Sequence, residues 1–175
     1  KITIVSMKVI IELMNASSES MLPSTQDFQH WSEITLLALA EKSNEAAQEK
    51  AELCIRLVDE QESASLNENF RQKKGPTNIL SFPYTEVEGV TGVDTDVNLL
   101  GDLAICVPLV KKEATEQNKA IDAHWAHLTV HGVLHLHGFD HEEDKAANKM
   151  ESMEISILNT LGYENPYEQD VKGNE

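Results

Sequence analysis

The chain is short of cysteine, arginine, positive charge and long apolar runs, and each shortage narrows its chemistry. Cys54 and Cys106 are its two cysteines, far apart, each in an apolar run and not part of a C-x-x-C pair. They offer no thiolate zinc or redox motif and read as reduced core thiols, as in a reducing cytosol. No apolar run approaches the roughly eighteen residues of a membrane span, so no membrane partner is expected. The opening KITIVS lacks the basic start and small-residue cleavage site of a secretory signal. MKVIIELM reads as a natural start at Met7, which makes residues 1–6 upstream or expression-derived sequence. The expected location is cytoplasmic.

Lys and Arg number 14 against 30 Asp and Glu, a net charge of −16. That balance argues against a general polyanion binder, and DNA is not an expected partner. The distribution says more than the sum. Arg56 and Arg71 are the only arginines, and Arg71, Lys73 and Lys74 cluster in FRQKKGPTN. The C-terminal third is acidic, with Asp140, Glu142, Glu143, Asp144, Glu151 and Glu154 close together, and reads as a solvated face.

What is present fits one domain, 1–175, of a soluble globular protein: 175 residues, 41% hydrophobic and 25% charged. A chain of this length buries roughly 70% of its unfolded surface without staples. Branched apolar residues at 7–14 predict a strand. A helix opens at Ser24, with Phe28, Trp31, Thr35, Ala38 and Leu39 on its inner face. ELCIRLVD is a second strand, with Leu53, Ile55 and Leu57 on one side. Asp59, with Glu62 three residues on, caps a short helix that carries Leu66 and Phe70 inward. Strands follow at 77–84 and 99–107, joined by the acidic, turn-rich loop EVEGVTGVDTDVN. Pro108 starts a helix running to about Lys119. Asp122 caps the next, and Gly138 closes it. A last helix spans about 142–161, with Met150, Met153, Ile157 and Leu161 buried. The sum is an α+β domain: a small mixed four-stranded sheet with about five helices packed on it.

The chemistry concentrates in HGVLHLHGFDH, where His131, His135 and His141 stand at offsets 0, 4 and 10. This is the histidine ladder of the long zinc-peptidase motif, but Gly132 replaces its catalytic glutamate. Residues four apart on a helix stack on one face, so His131 and His135 present two imidazoles to one point. The turn at Gly138 can return the chain and bring His141 to the same point. Three nitrogen ligands suit one tetrahedral Zn2+, or another divalent ion, and leave a position open for water. His127, four before His131, reads either as a donor supporting a ligand or as a packed histidine. His124 is weaker still, and His137 points to another, exposed face. Asp140 either touches a ligand imidazole, accepts a proton, or shapes the turn. Asp102 is a second weak candidate for proton transfer. Without the glutamate, peptide hydrolysis loses its base and proton donor. Phosphodiester cleavage asks less of a carboxylate, because a metal neutralises the phosphoryl oxygens and activates the nucleophile. An arginine gripping phosphate would complete such a site. Arg71 is either that arginine or a plain surface charge.

HGVLHLHGFDH resembles the H-G-x-L-H-L-x-G-[YF]-D-H signature of the YbeY endoribonucleases. FRQKKGPTNILSFPY, LLGDLAIC, AHWAHLTVHG and LGYENPY resemble further segments of that family, in order, over about residues 53–167. The resemblance implies a compact α/β domain with its site in a cleft, and a single-strand-specific, metal-dependent endoribonuclease acting at the 3′ end of 16S ribosomal RNA and in ribosome quality control. It implies His131, His135 and His141 as zinc ligands and Arg71 as the arginine linked to cleavage. Lys73 and Lys74 join Arg71 as RNA-binding residues. Single-stranded RNA and the small ribosomal subunit or its proteins are the implied partners. His137 and the long loop near 86–98 depart from the family pattern without touching the expected ligands. The competing readings are a non-catalytic ribosome-assembly factor with a structural zinc and, ranked lower because of Gly132, a metal-dependent peptidase.

Overall fold

A computed structural model describes residues 6–44, 49–86, 96–140 and 142–168. The sheet grows from alternation. In β2 (Lys50–Val58), Leu53, Ile55 and Leu57 are fully buried, while Cys54 and Arg56 face the other way. On its flanks lie β1 (Lys8–Asn15), parallel, and β4 (Asn98–Cys106), also parallel. β3 (Ile79–Pro83) pairs antiparallel with β4 at the edge, giving the order β1-β2-β4-β3. This is the expected mixed four-stranded sheet. The register slips between Glu52 and Leu53, which face Leu99 and Gly101, so Leu100 is the extra residue of a bulge. Gly101 has φ +130°, and a Cβ there would stand 2.2 Å from the Phe82 carbonyl oxygen. No side chain fits that turn of the strand.

Among the described residues five helices complete the α+β fold: α1 (Thr25–Ser43), α2 (Glu60–Arg71), α3 (Val107–Glu116), α4 (Ile121–Leu136) and α5 (Asp144–Thr160). α1 starts at the expected cap. The Asp27 amide donates to Ser24 Oγ, and the Ser24 amide donates to the Asp27 carboxylate. Phe28 meets Trp31 and Trp125 edge-on, binding α1 to α4. Burial of one such large apolar side chain stabilises by about 1.5–3 kcal/mol, and α1, α4, α5 and the sheet share one continuous core.

Three local expectations need correction. Asp59 stands at the N-cap of α2, but its carboxylate makes no cap bond. It accepts instead from the Ser17 hydroxyl and from the Ser18 amide and hydroxyl, tying α2 to the chain after β1. Phe70 is not inward. It is 64% exposed and meets Phe82 edge-on, whereas the buried face of α2 is Ser63 and Asn67. These polar residues hold the following segment: Ser63 Oγ bonds both the amide and carbonyl of Thr77, and Asn67 donates to the Gly75 carbonyl. The N-cap of α4 is Ala120, so Asp122 lies in the first turn rather than at the cap. The acidic loop's residues 87–95 and His141 lie outside the described residues. Among the described residues, no helix is long and apolar enough to cross a membrane.

Candidate metal centre

α4 packs against α1, α3, α5 and the sheet, and from His124 to Leu134 it is buried on almost every side. Within 124–135 only His127, His131 and His135 keep intermediate exposure. They are four apart, so they form one line along the helix where the surrounding elements leave a gap. His131 and His135 meet as expected: their Nε2 atoms lie 3.0 Å apart. Two nitrogens bound to one tetrahedral zinc at about 2.0–2.1 Å would stand about 3.3 Å apart. The pair therefore fits a shared ion. His141, the expected third ligand, lies outside the described residues, and among those described no cluster of three ligating side chains forms.

Behind this pair stands Glu154, a member of the acidic run whose composition suggests a solvated face. It is fully buried on α5. His131 Nδ1–H donates to its Oε1. His127 Nε2–H, at 3.2 Å, and the Tyr167 hydroxyl both donate to its Oε2. Burial pushes the Glu154 carboxyl up, but the bonds from His127 and His131 outweigh it and hold the group down at about 2. His127 is pulled the other way. Burial lowers its imidazole below the ordinary value and outweighs the Glu154 contact, so the pair consists of a carboxylate and a neutral ring. His127 thus stands one carboxylate away from His131. Its ring and Tyr167 also border a recess of about 750 Å³ between the α3–α4 turn and residues 162–168. Glu154 was legible as an oddity: it sits in the stripe Met150, Met153, Glu154, Ile157, whose other members are apolar.

A second histidine–carboxylate pair, buried at His124 and half-buried at Glu113, lies toward the start of α4. His124 Nε2 is 3.3 Å from Glu113 Oε2, and Asn78 Nδ2 donates to the same oxygen. Burial raises the Glu113 carboxyl, and the His124 and Asn78 bonds bring it below its ordinary value. Asn78 immediately precedes β3, so this contact anchors the start of that strand to α3 and α4.

The remaining candidates lie exposed at the surface. His137 is exposed, as expected, and its Nδ1–H donates to the Val133 carbonyl. Asp140 is exposed in the turn after α4. Asp102 is exposed on β4 opposite Cys54, on the sheet face away from Leu103, and Leu103 is the side chain that meets α4. It is not part of the histidine line. Arg71 ends α2, followed by Gln72 in the left-handed region, and Arg71, Lys73 and Lys74 are all exposed. Among the described residues no ion pair engages them. Gly132 has a packing role: a Cβ there would lie 2.8 Å from both Ile79 Cδ1 and Leu103 Cδ2. The position that carries a peptidase's glutamate is here pressed against the sheet.

Comparison with known proteins shows the family. A family model described as "Endoribonuclease YbeY" matches residues 12–162. Curated proteins named Endoribonuclease YbeY are similar over nearly the whole chain. The one from Colwellia psychrerythraea is 49% identical over 158 residues, covering 90% of this chain and 96% of its own. That from Methylococcus capsulatus is 48% identical, covering 89% and 94%. That from Coxiella burnetii is 45% identical, covering 92% and 99%. A solution structure of a Thermotoga maritima protein, 22% identical, superposes with a TM-score of 0.51 over 94% of this chain and all of that one, and it supports the fold.

Proposed function

The chain belongs to the YbeY endoribonuclease family, and from that premise we propose that it is a metal-dependent endoribonuclease of single-stranded RNA. In this reading it acts in the cytoplasm at the 3′ end of 16S ribosomal RNA, in ribosome maturation and quality control, on or beside the small subunit. The observation that carries the metal assignment is the convergence of His131 and His135 Nε2 at 3.0 Å. His141 completes the ligand set, and zinc is the ion, with another divalent metal as a substitute. When bound, the ion polarises the phosphodiester and lowers the pKa of a coordinated water.

The chain's own residues do the rest. His131 and His135 orient the centre from a rigid, buried helix. Gly132 lets that helix sit tight on the sheet, fixing the height of both rings. Arg71, exposed at the end of α2, grips the scissile phosphate and stabilises its extra charge in the transition state. Lys73 and Lys74 neutralise neighbouring phosphates. The chain's net charge of −16 repels nucleic acid elsewhere, which restricts productive binding to strands presented at this basic segment.

The test is cleavage of defined single- and double-stranded RNAs, with and without a chelator, beside a His131→Ala variant purified in parallel. Cleavage should be confined to single strands, stop with the chelator, return with zinc and be absent in the variant. Cleavage surviving in His131→Ala would overturn the assignment. Tight zinc binding with no cleavage by the wild type would instead favour an assembly factor with a structural metal.

A further inference from the structure

Glu154 collects three donors on two oxygens: His131 Nδ1–H on Oε1, and His127 Nε2–H and the Tyr167 hydroxyl on Oε2. It is wholly buried between Met153 and Ile157 on α5. A carboxylate only accepts hydrogen bonds, so each partner must turn a hydrogen toward it. For His131 this has a chemical consequence. Its hydrogen sits on Nδ1, and the neutral ring then carries its lone pair on Nε2, the atom 3.0 Å from His135 Nε2. The geometry points to Glu154, steadied by Tyr167, as the positioning residue that fixes the tautomer and ring orientation of His131 and so presents a bare Nε2 to a metal.

The arrangement is more than a packing contact between α4 and α5. A buried carboxylate with one partner would remain poorly satisfied, and the penalty for a half-satisfied charge is high. Here His127 and Tyr167 occupy the second oxygen, which leaves Oε1 to His131. Tyr167 comes from the segment after α5, 13 residues beyond Glu154. The C-terminal segment is thus tied to the metal centre through one hydroxyl. Partners of this type orient a ligand ring and raise its basicity, and their loss typically costs 10–100-fold in metal affinity.

This inference rests on reading His131 and His135 as metal ligands, and the experiment separates the two. Zinc affinity of the full chain is measured by competition with a chromophoric chelator. The tautomer of His131 is read in the zinc-free protein from long-range proton–nitrogen NMR. The wild type should show His131 as the Nδ1–H tautomer and bind zinc. Glu154→Gln should bind about 10–100-fold more weakly, with the Nε2–H form gaining population, because the amide can donate as well as accept. Tyr167→Phe keeps the ring and removes the hydroxyl, and should shift both readouts the same way by less. Folded Glu154→Gln and Tyr167→Phe with wild-type zinc affinity and an unchanged tautomer would overturn the positioning role. If Glu154→Gln does not fold, Tyr167→Phe decides by the same two readouts. A His131→Ala variant that binds zinc as well as the wild type would overturn the ligand assignment itself, and the positioning role with it.

Discussion

Gly132 and Leu103 touch so closely that the helix bearing the histidines has no room for a methyl group: an added Cβ would stand 2.8 Å from Leu103 Cδ2. Gly132→Ala therefore requires the Leu103 and Ile79 side chains to give way or α4 to back off the sheet. Overpacking of this kind costs about 1–3 kcal/mol, against a gain of about 1 kcal/mol from helix propensity. Urea unfolding should show a net loss of stability or none, with cleavage reduced more than stability because His131 and His135 move with the helix. Gly132→Glu, which restores the peptidase pattern, should fail to fold and should yield no peptidase. A stable, fully active Gly132→Glu protein would contradict this account.

Glu154 sets a pH dependence. Its carboxyl is held at about 2, below the ordinary 4.5, chiefly by the His127 and His131 bonds working against burial. The folded value lies below the unfolded one, so the stabilisation is complete above about pH 4.5 and disappears as the pH falls toward 2. Its size is on the order of 3 kcal/mol. His127 acts in the same direction, because a buried ring with a lowered value resists protonation: its share is complete above about 6.5 and declines below. In metal-free protein, the thermal midpoint of the wild type should exceed that of Glu154→Gln at pH 7, and the gap should close as the pH drops below 4.5. A gap that stayed constant with pH would show that charge on Glu154 plays no part.

Arg71 should separate stability from activity. It is exposed, without an ion pair among the described residues, so Arg71→Ala should change unfolding by no more than about 0.5 kcal/mol. Loss of its grip on the phosphate should lower the cleavage rate by about 10²–10³-fold, as for other donors that act on transition-state charge. Arg71→Lys should recover little, because a point charge cannot replace a bidentate fork. Parallel unfolding and single-turnover cleavage measurements check this. A wild-type rate in Arg71→Ala would return the residue to the plain surface charge that the sequence equally allowed.

The parts of the molecule legible in the sequence are those written in neighbouring residues. The opening of α1 at Ser24, the alternation of Leu53, Ile55 and Leu57, and the four-residue step from His131 to His135 are local patterns, and each appears as expected. The misread residues are those whose role depends on what lies across the fold. Glu154 stands in a run of acidic residues, and only the packing of α5 on α4 brings it behind His131. Asp59 has the right position for a cap, but Ser17 and Ser18, which follow the C-terminal end of the parallel neighbour β1, take its oxygens. Phe70 has the hydrophobicity of a core residue, yet the face of α2 that it shares is filled by Ser63 and Asn67 holding the segment before β3. Within the motif Gly132 is a chemical loss, whereas in the fold its first consequence is the close seat of α4 on Leu103 and Ile79.

Asp102 offers a test of sheet sidedness. It lies opposite Cys54 on the face away from Leu103 and α4, so it has no path to the histidine line. Burial, and then the charge and hydrogen bond of Asp102, raise the Cys54 thiol to about 11. Asp102→Asn removes the negative charge and should lower that value, making more thiolate at a given pH and speeding alkylation of Cys54, since the thiolate is the reactive form. RNA cleavage should remain at the wild-type rate. Mass-spectrometric timing of iodoacetamide labelling at pH 8 and a cleavage assay on the same preparation decide the matter. A large fall in cleavage would place Asp102 in the catalytic machinery, through the sheet from where its side chain lies. Unchanged labelling with unchanged cleavage would leave only the Cys54 contact in error.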